Sequence, residues 1–177
     1  MVVLTIVAIL ATLASPSFAR LIQSTMISNN VNTFLADMRY ARSESIRRGG
    51  GVVLCRSDAP EAAVPACGSD AGPGGHGWVS GWIVFHDLDN DGVKAPAEPL
   101  LRVQSPLTST NAINDANALS SKFRFTATGR LLTPNPATLH FGALPLFATD
   151  VQRTVCVSPG GRARIAGDGT ANCGNSP

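Results

Sequence analysis

Charge is scarce in this chain. Only 15% of its 177 residues are Asp, Glu, Lys or Arg, against about a quarter in ordinary soluble domains, so part of the surface is expected not to face water. The scarcity is complete at the start, where no charged residue precedes Arg20. Catalytic signatures are missing as well. His76, His86 and His140 sit on separate segments, and there is no His-Glu-x-x-His, no Gly-x-Ser-x-Gly elbow and no phosphate loop. An enzyme and a small-molecule substrate are therefore not expected. The four cysteines include no Cys-x-x-Cys and have no nearby histidine pair, which excludes a zinc site of the usual spacing. No internal repeat is present, and the length is one domain's worth, which excludes a multidomain enzyme. With 44% hydrophobic residues and a net charge of +2, the chain is too apolar and too weakly charged to be disordered throughout.

What is there begins with an apolar run. From Met1 to Ala14 only Thr5 and Thr12 interrupt it (MVVLTIVAILATLA). Nineteen helical residues cover about 28 Å, close to the hydrocarbon thickness of a bilayer. A cleavable secretory signal would also show an apolar core, but no basic segment precedes this one, and the helical pattern continues beyond Pro16. The continuation places Val31, Phe34, Leu35, Met38, Ala41, Ser45 and Ile46 on one stripe. Arg39, Arg42, Arg47 and Arg48 lie mostly off it, Glu44 can pair with Arg48, and Gly49 to Gly51 stop it. One helix of nearly 50 residues is expected, kinked at Pro16. Residues 1–19 would be its transmembrane half, 20–48 its amphipathic half and 49–177 a globular domain.

These segments carry a family resemblance. The run MVVLTIVAILATLASPSFARLI followed by FLADMRYARSESIRRG resembles the N-terminal helix of type IV pilin-like proteins. With GWIVFHDLDNDG…EPLLRV at Gly81–Val103 and FTATGRL at Phe125–Leu131, the chain is similar to the GspH/FimT family of minor pilins and pseudopilins. Family members begin with a basic leader, a Gly at the prepilin-peptidase site and Phe-Thr-Leu-Ile-Glu. Here Met1 falls inside the expected helix, so the sequence as written is expected not to be processed by that peptidase. The resemblance implies a bacterial inner-membrane protein held by a single N-terminal helix, with a periplasmic globular domain that later joins a filament. Its partners would be the inner membrane before assembly, then other minor and major pilins.

After the glycines the pattern changes to short apolar runs between turn residues, the mark of antiparallel sheet. Strands are predicted near Gly51–Arg56, Gly81–His86, Leu100–Gln104, Lys122–Thr126, Thr138–Gly142, Arg153–Ser158 and Arg162–Ala166, with a long loop over Asp58–Trp78. The fold class is α+β, a long helix against antiparallel sheet, as the pilin resemblance also implies. Trp78, Trp82 and Phe85 read as core, and Ser80 and Ser158 as turn residues. The cysteines fall into local pairs, Cys55 with Cys67 and Cys156 with Cys173. Three connectivities are possible, and the local one closes loops worth roughly 3 kcal/mol each. Disulfides suit a domain exported to an oxidising compartment.

Two segments carry chemistry. Asp87, Asp89 and Asp91 precede Gly92, and Glu98 stands eleven residues after Asp87, as in a calcium-binding loop. The flanks differ from an EF-hand, since a strand precedes the loop and Pro96 and Pro99 follow, and an acidic hairpin turn accounts for the same residues. No cofactor is expected apart from a possible calcium ion there.

The second is Gly160-Gly161-Arg162-Ala163-Arg164. On a strand, Arg162 and Arg164 would project to one side about 7 Å apart, near the phosphate repeat of a nucleic acid. The glycines would let the backbone approach a ligand, and arginine's planar fork suits phosphate. A solvated, charge-protected edge strand gives the same pattern. Residues 51–121 carry three cations against eight acids and residues 122–177 six cations against two acids, which makes the C-terminal third a candidate polyanion surface, although scattered arginines on a solvated face give the same count. In the resembled family, a Gly-Arg-x-Arg motif marks FimT-like members that bind DNA during natural transformation. Gly161, Arg162 and Arg164 match it, and Arg130, Arg153 and Lys122 could extend the patch. Two functions then share one fold: a minor pilin that captures DNA, and a structural minor pilin or type II secretion pseudopilin that primes or caps a filament.

Overall fold

A computed structural model describes residues 2–69, 71–108, 110–116, 121–133, 136–142 and 147–174, with side chains from residue 18 onward. Helix α1 (Val2–Arg48) runs through Pro16 as one element. Taken over the described residues, no helix is long and apolar enough to cross a membrane. Most of the apolar run falls on residues 2–17, whose side chains lie outside the described ones.

The helix ends where its sequence stops favouring it. Gly49, Gly50 and Gly51 all have positive φ, the Gly50 amide donates to the Ser45 carbonyl at 2.7 Å, and Arg47 and Arg48 complement the negative end of the helix dipole. Glu44 binds both of them, at 2.6 and 2.7 Å. These two bonds hold its carboxyl below the ordinary range.

The buried face of α1 comprises Ile27, Val31, Phe34, Leu35, Met38, Ala41 and Ser45. Ile46 departs from the expected stripe and is 53% exposed, because the helix reaches its C-terminal end beyond the edge of the core. Phe34 sits at the centre. Its ring meets Trp78, Trp82, Phe123 and Phe141 edge-on at 5.5, 5.5, 6.3 and 5.8 Å, contacts worth about 0.5–1.5 kcal/mol each beyond the area buried.

Two four-stranded antiparallel sheets pack on this helix. The first has the order β3-β2-β1-β5, with β1 (Val52–Arg56), β2 (Trp82–His86), β3 (Leu100–Gln104) and β5 (Lys122–Phe125). The second has the order β4-β6-β7-β8, with β4 (Ile113–Asp115), β6 (Ala137–Phe141), β7 (Arg153–Val157) and β8 (Ala163–Gly167). Seven strands lie where alternation predicts them, within a residue at each end. β4 is additional, and Arg162 falls just before β8 rather than inside it. The α+β architecture, a long helix against antiparallel sheet, is thus present.

Strand β1 is buried along its whole length, since a loop covers its outer face. Val53, Cys55, Ile83 and Phe85 form a second cluster under Cys67, and Cys55 is bonded to Cys67. Arg56, fully buried, ties the same loop down: its Nε donates to the Ser69 carbonyl at 2.5 Å and its Nη1 to Asp58 and Ser80 at 2.5 and 2.9 Å. The second disulfide, Cys156–Cys173, fastens the tail to β7.

Candidate nucleic-acid interface

The chain leaves β7 through a turn over residues 158–162. The Gly161 amide donates to the Ser158 carbonyl and the Ser158 amide to the Arg162 carbonyl, both at 2.9 Å, so Arg162 extends the β7–β8 ladder by one hydrogen bond. Beyond it, Ala163 lies opposite Val157 and Arg164 opposite Cys156. Arg162 and Arg164 are exposed.

Gly161 is required for a reason other than ligand approach. Its φ is +73°, and a Cβ there would lie 2.2 Å from the Gly129 carbonyl oxygen and 3.2 Å from the Phe125 ring. Side chains rarely adopt that φ, and no real Cβ sits so close to an oxygen. The glycine is buried against a second turn, residues 126–130, that follows β5. That turn is closed by Gly129 donating to the Thr126 carbonyl and Thr126 to the Arg130 carbonyl, both at 2.8 Å. Leu131 completes the joint by donating to the Pro159 carbonyl at 3.0 Å. Arg130 is exposed on this second turn. The interlock therefore brings Arg130, from one sheet, to the turn that carries Arg162 in the other.

Two expected members of the patch lie elsewhere. Lys122 is at the far end of β5, opposite Cys55, and its Nζ donates to the Gly92 carbonyl at 3.1 Å. Arg153 begins β7, at the end away from the turn. Its Nη1 donates to the carbonyls of Asp150, Val151 and Gln152, and its Nη2 is 3.5 Å from Ser24 Oγ on α1. Both are held by backbone carbonyls at places that β-strand length separates from Arg162.

The acidic loop folds on its own amides. Asp87, Asp89 and Asp91 each offer an oxygen within 4.8 Å of the others. Asp87 accepts from the Asp91 and Gly92 amides at 3.1 and 2.9 Å, and Asp91 accepts from Val93 at 2.6 Å. Glu98 turns both oxygens to the chain, taking Leu88 N–H at 2.7 Å and Ala95 N–H at 2.9 Å. Arg124, missed in the sequence, donates to the Asn90 carbonyl and stands 3.5 Å from Asp87. Burial raises the Asp87 pKa, against the lowering effects of the Gly92 amide and Arg124. Glu98 gives both oxygens to amides and the Arg124 guanidinium stands beside Asp87, while the oxygens of Asp87, Asp89 and Asp91 still converge as an acidic cluster. A cavity of about 320 Å³ between this loop, the end of α1 and β5 is lined by Arg48, His86 and Arg124 among others, and Arg48 is taken by Glu44. The histidines remain apart: His76 Nδ1 contacts the Asn111 carbonyl, and His140 Nδ1 contacts Thr154 Oγ1.

Residues 30–161 match the family GspH, type II transport protein GspH. The chain belongs to the GspH family. The match ends at Gly161, the residue at the interlock. Among solved structures, the fold is similar to that of the Pseudomonas aeruginosa PAO1 type IV minor pilin FimU in two crystal forms. In space group P21 the TM-score is 0.59 at 18% identity, covering 83% of this chain and 92% of that one. In space group P65 it is 0.56 at 19% identity, covering 82% and 97%. No curated protein matches the chain. The family is that of the type II transport protein GspH, and the likeness to FimU shows a shared fold.

Proposed function

We propose that this GspH-family protein is a minor type IV pilin that binds extracellular DNA without sequence preference, for uptake in natural transformation. The carrying observation is the interlock of the turns at Gly129 and Gly161, which presents Arg130 and Arg162 on neighbouring turns with Arg164 two residues on. Phosphate oxygens are the ligands that planar guanidiniums fit. Single-strand binders rely on bases stacking on aromatic rings. Among the described residues no exposed aromatic lies on either turn, and the nearest ring, Phe125, is buried. The recognised feature is then the phosphate backbone. Each neutralised phosphate contributes about −0.9 to the slope of log K against log salt on duplex DNA. Many copies along a filament would convert weak single-site binding into firm capture.

Residues 1–19 supply the membrane anchor before assembly in this reading. The exposed face Phe18, Leu21, Ile22 and Met26 follows helical spacing and would continue the apolar surface toward lipid or neighbouring pilin helices. That same face favours a second reading, a structural minor pilin or pseudopilin that primes or caps a filament without touching DNA. The cellular test separates them. Arg162→Gln with Arg164→Gln is expected to lower uptake of added DNA while filaments still form. Uptake unchanged in that variant, with filaments lost on mutating Leu21 and Ile22, would leave the structural role alone.

A further inference from the structure

The joint that links the two turns has a third layer. Gly129 rests on α1: a Cβ at this position, where φ is +72°, would lie 2.9 Å from Arg42 Nε, 3.0 Å from Arg42 Cγ and 2.9 Å from Ile46 Cδ1. Arg42 therefore runs beneath the turn that bears Arg130, which itself abuts the turn bearing Arg162. The Nε of Arg42 is enclosed there and has no hydrogen-bond partner among the described residues, while the residue as a whole is only half-buried.

The surroundings do not neutralise Arg42. Its helical neighbours three and four positions away are Met38, Arg39, Ser45 and Ile46, and none is acidic. The turns 126–131 and 158–165 contain no acid. The one carboxylate in this stretch of helix, Glu44, is held by Arg47 and Arg48. A guanidinium at the core edge, with no acid three or four positions away on its helix and lying beneath the turn that bears Arg130, is poised for an anion.

We infer that Arg42 is a fourth phosphate-contacting residue, so that the DNA-binding surface begins on α1 and crosses both turns to β8. This rests on the DNA-binding reading above. A spread of contacts from helix to edge strand demands several phosphates at once, as a nucleic acid supplies and a single free phosphate does not. It also couples the surface to the helix: the side chain that would touch DNA supports the turn that presents Arg130.

The test uses the full chain in detergent micelles and a fluorescent DNA duplex of arbitrary sequence, with anisotropy titrations across a series of salt concentrations. Arg42→Gln is expected to weaken binding severalfold at low salt and to reduce the salt slope by about one. Arg42→Lys, which keeps the charge, is expected to keep the slope. An unchanged slope in Arg42→Gln, or equal loss in Arg42→Lys, overturns the inference, provided that Arg162→Gln with Arg164→Gln abolishes binding in the same assay. A wild-type chain that does not bind overturns the underlying DNA reading instead. Inorganic phosphate that competes at concentrations comparable to the phosphates of the duplex would show a single-anion site and also contradicts the extended surface.

Discussion

Asp37 on α1 accepts the indole hydrogen of Trp82 on β2, at 2.8 Å, inside the core between helix and sheet. Arg102 on β3 lies 3.0 Å from the other carboxylate oxygen and covers the Tyr40 ring at 5.3 Å. One carboxylate thus ties the helix to two strands of the first sheet. Burial pushes its pKa up, outweighing the lowering by the Trp82 bond and Arg102.

The sign of the pH dependence follows. A carboxyl that holds its proton more tightly folded than unfolded contributes most at low pH, and that contribution is lost as pH rises from about 4 through the raised value. Asp37→Asn keeps an acceptor for the indole and removes the buried charge. Across pH 4–7, urea melts are expected to show wild-type stability falling relative to Asp37→Asn. A relative rise would mean that Arg102 dominates. Asp37→Leu orphans the indole N–H and is expected to cost about 1–3 kcal/mol.

Gly161→Ala removes no charge, yet it strikes the interlock. The positive φ alone costs about 1–3 kcal/mol in a non-glycine residue, and the Gly129 carbonyl must also move. Lower thermal stability together with weaker DNA binding is expected. Gly160→Ala is the control, since the nearest atom to its Cβ would be Ser158 Oγ at 3.7 Å, and it should be nearly silent in both measurements.

The loop closed by Cys156–Cys173 contains Arg162 and Arg164. Its tail is further held by Asp168, which accepts from the Thr170 amide and hydroxyl at 2.9 and 2.6 Å. Replacing Cys156 and Cys173 with serine is expected to cost roughly 3 kcal/mol and to weaken DNA binding. Unchanged binding in the folded variant would show that the β7–β8 ladder alone organises the arginines.

For the acidic loop, Glu98→Gln should destabilise the fold by about 1–2 kcal/mol through its weakened amide bonds, and by the same amount with calcium or with chelator. A calcium-dependent rise in melting temperature that Glu98→Gln abolishes would instead establish a cation site in this loop.

Much of the fold was legible because it rests on local pattern. The spacing of Val31, Phe34, Leu35, Met38 and Ala41 marks a buried helix face, and three successive glycines end it. Strand β4 was not legible: Ile113–Asp115 is three residues long, two of them polar, and forms by pairing with Leu139–Phe141. The candidate site was legible in part. Gly-Arg-x-Arg stands out as a motif and Arg130 shares its charge sign, but the contact of Gly129 with Gly161 that brings their turns together joins segments remote in sequence. Arg153 and Lys122 share the charge sign of the patch, and carbonyl contacts take them elsewhere. Nothing in one dimension separates an arginine that binds backbone from one that faces solvent.

The central claim is that the arginines at the interlocked turns bind DNA phosphates. The most direct measurement is anisotropy of a short duplex of arbitrary sequence with the full, oxidised chain at two salt concentrations, comparing wild type with Arg162→Gln plus Arg164→Gln. Binding that weakens steeply with salt and largely disappears in the double variant is the expected result. Equal binding by both proteins, or none by the folded wild type at low salt, would contradict it.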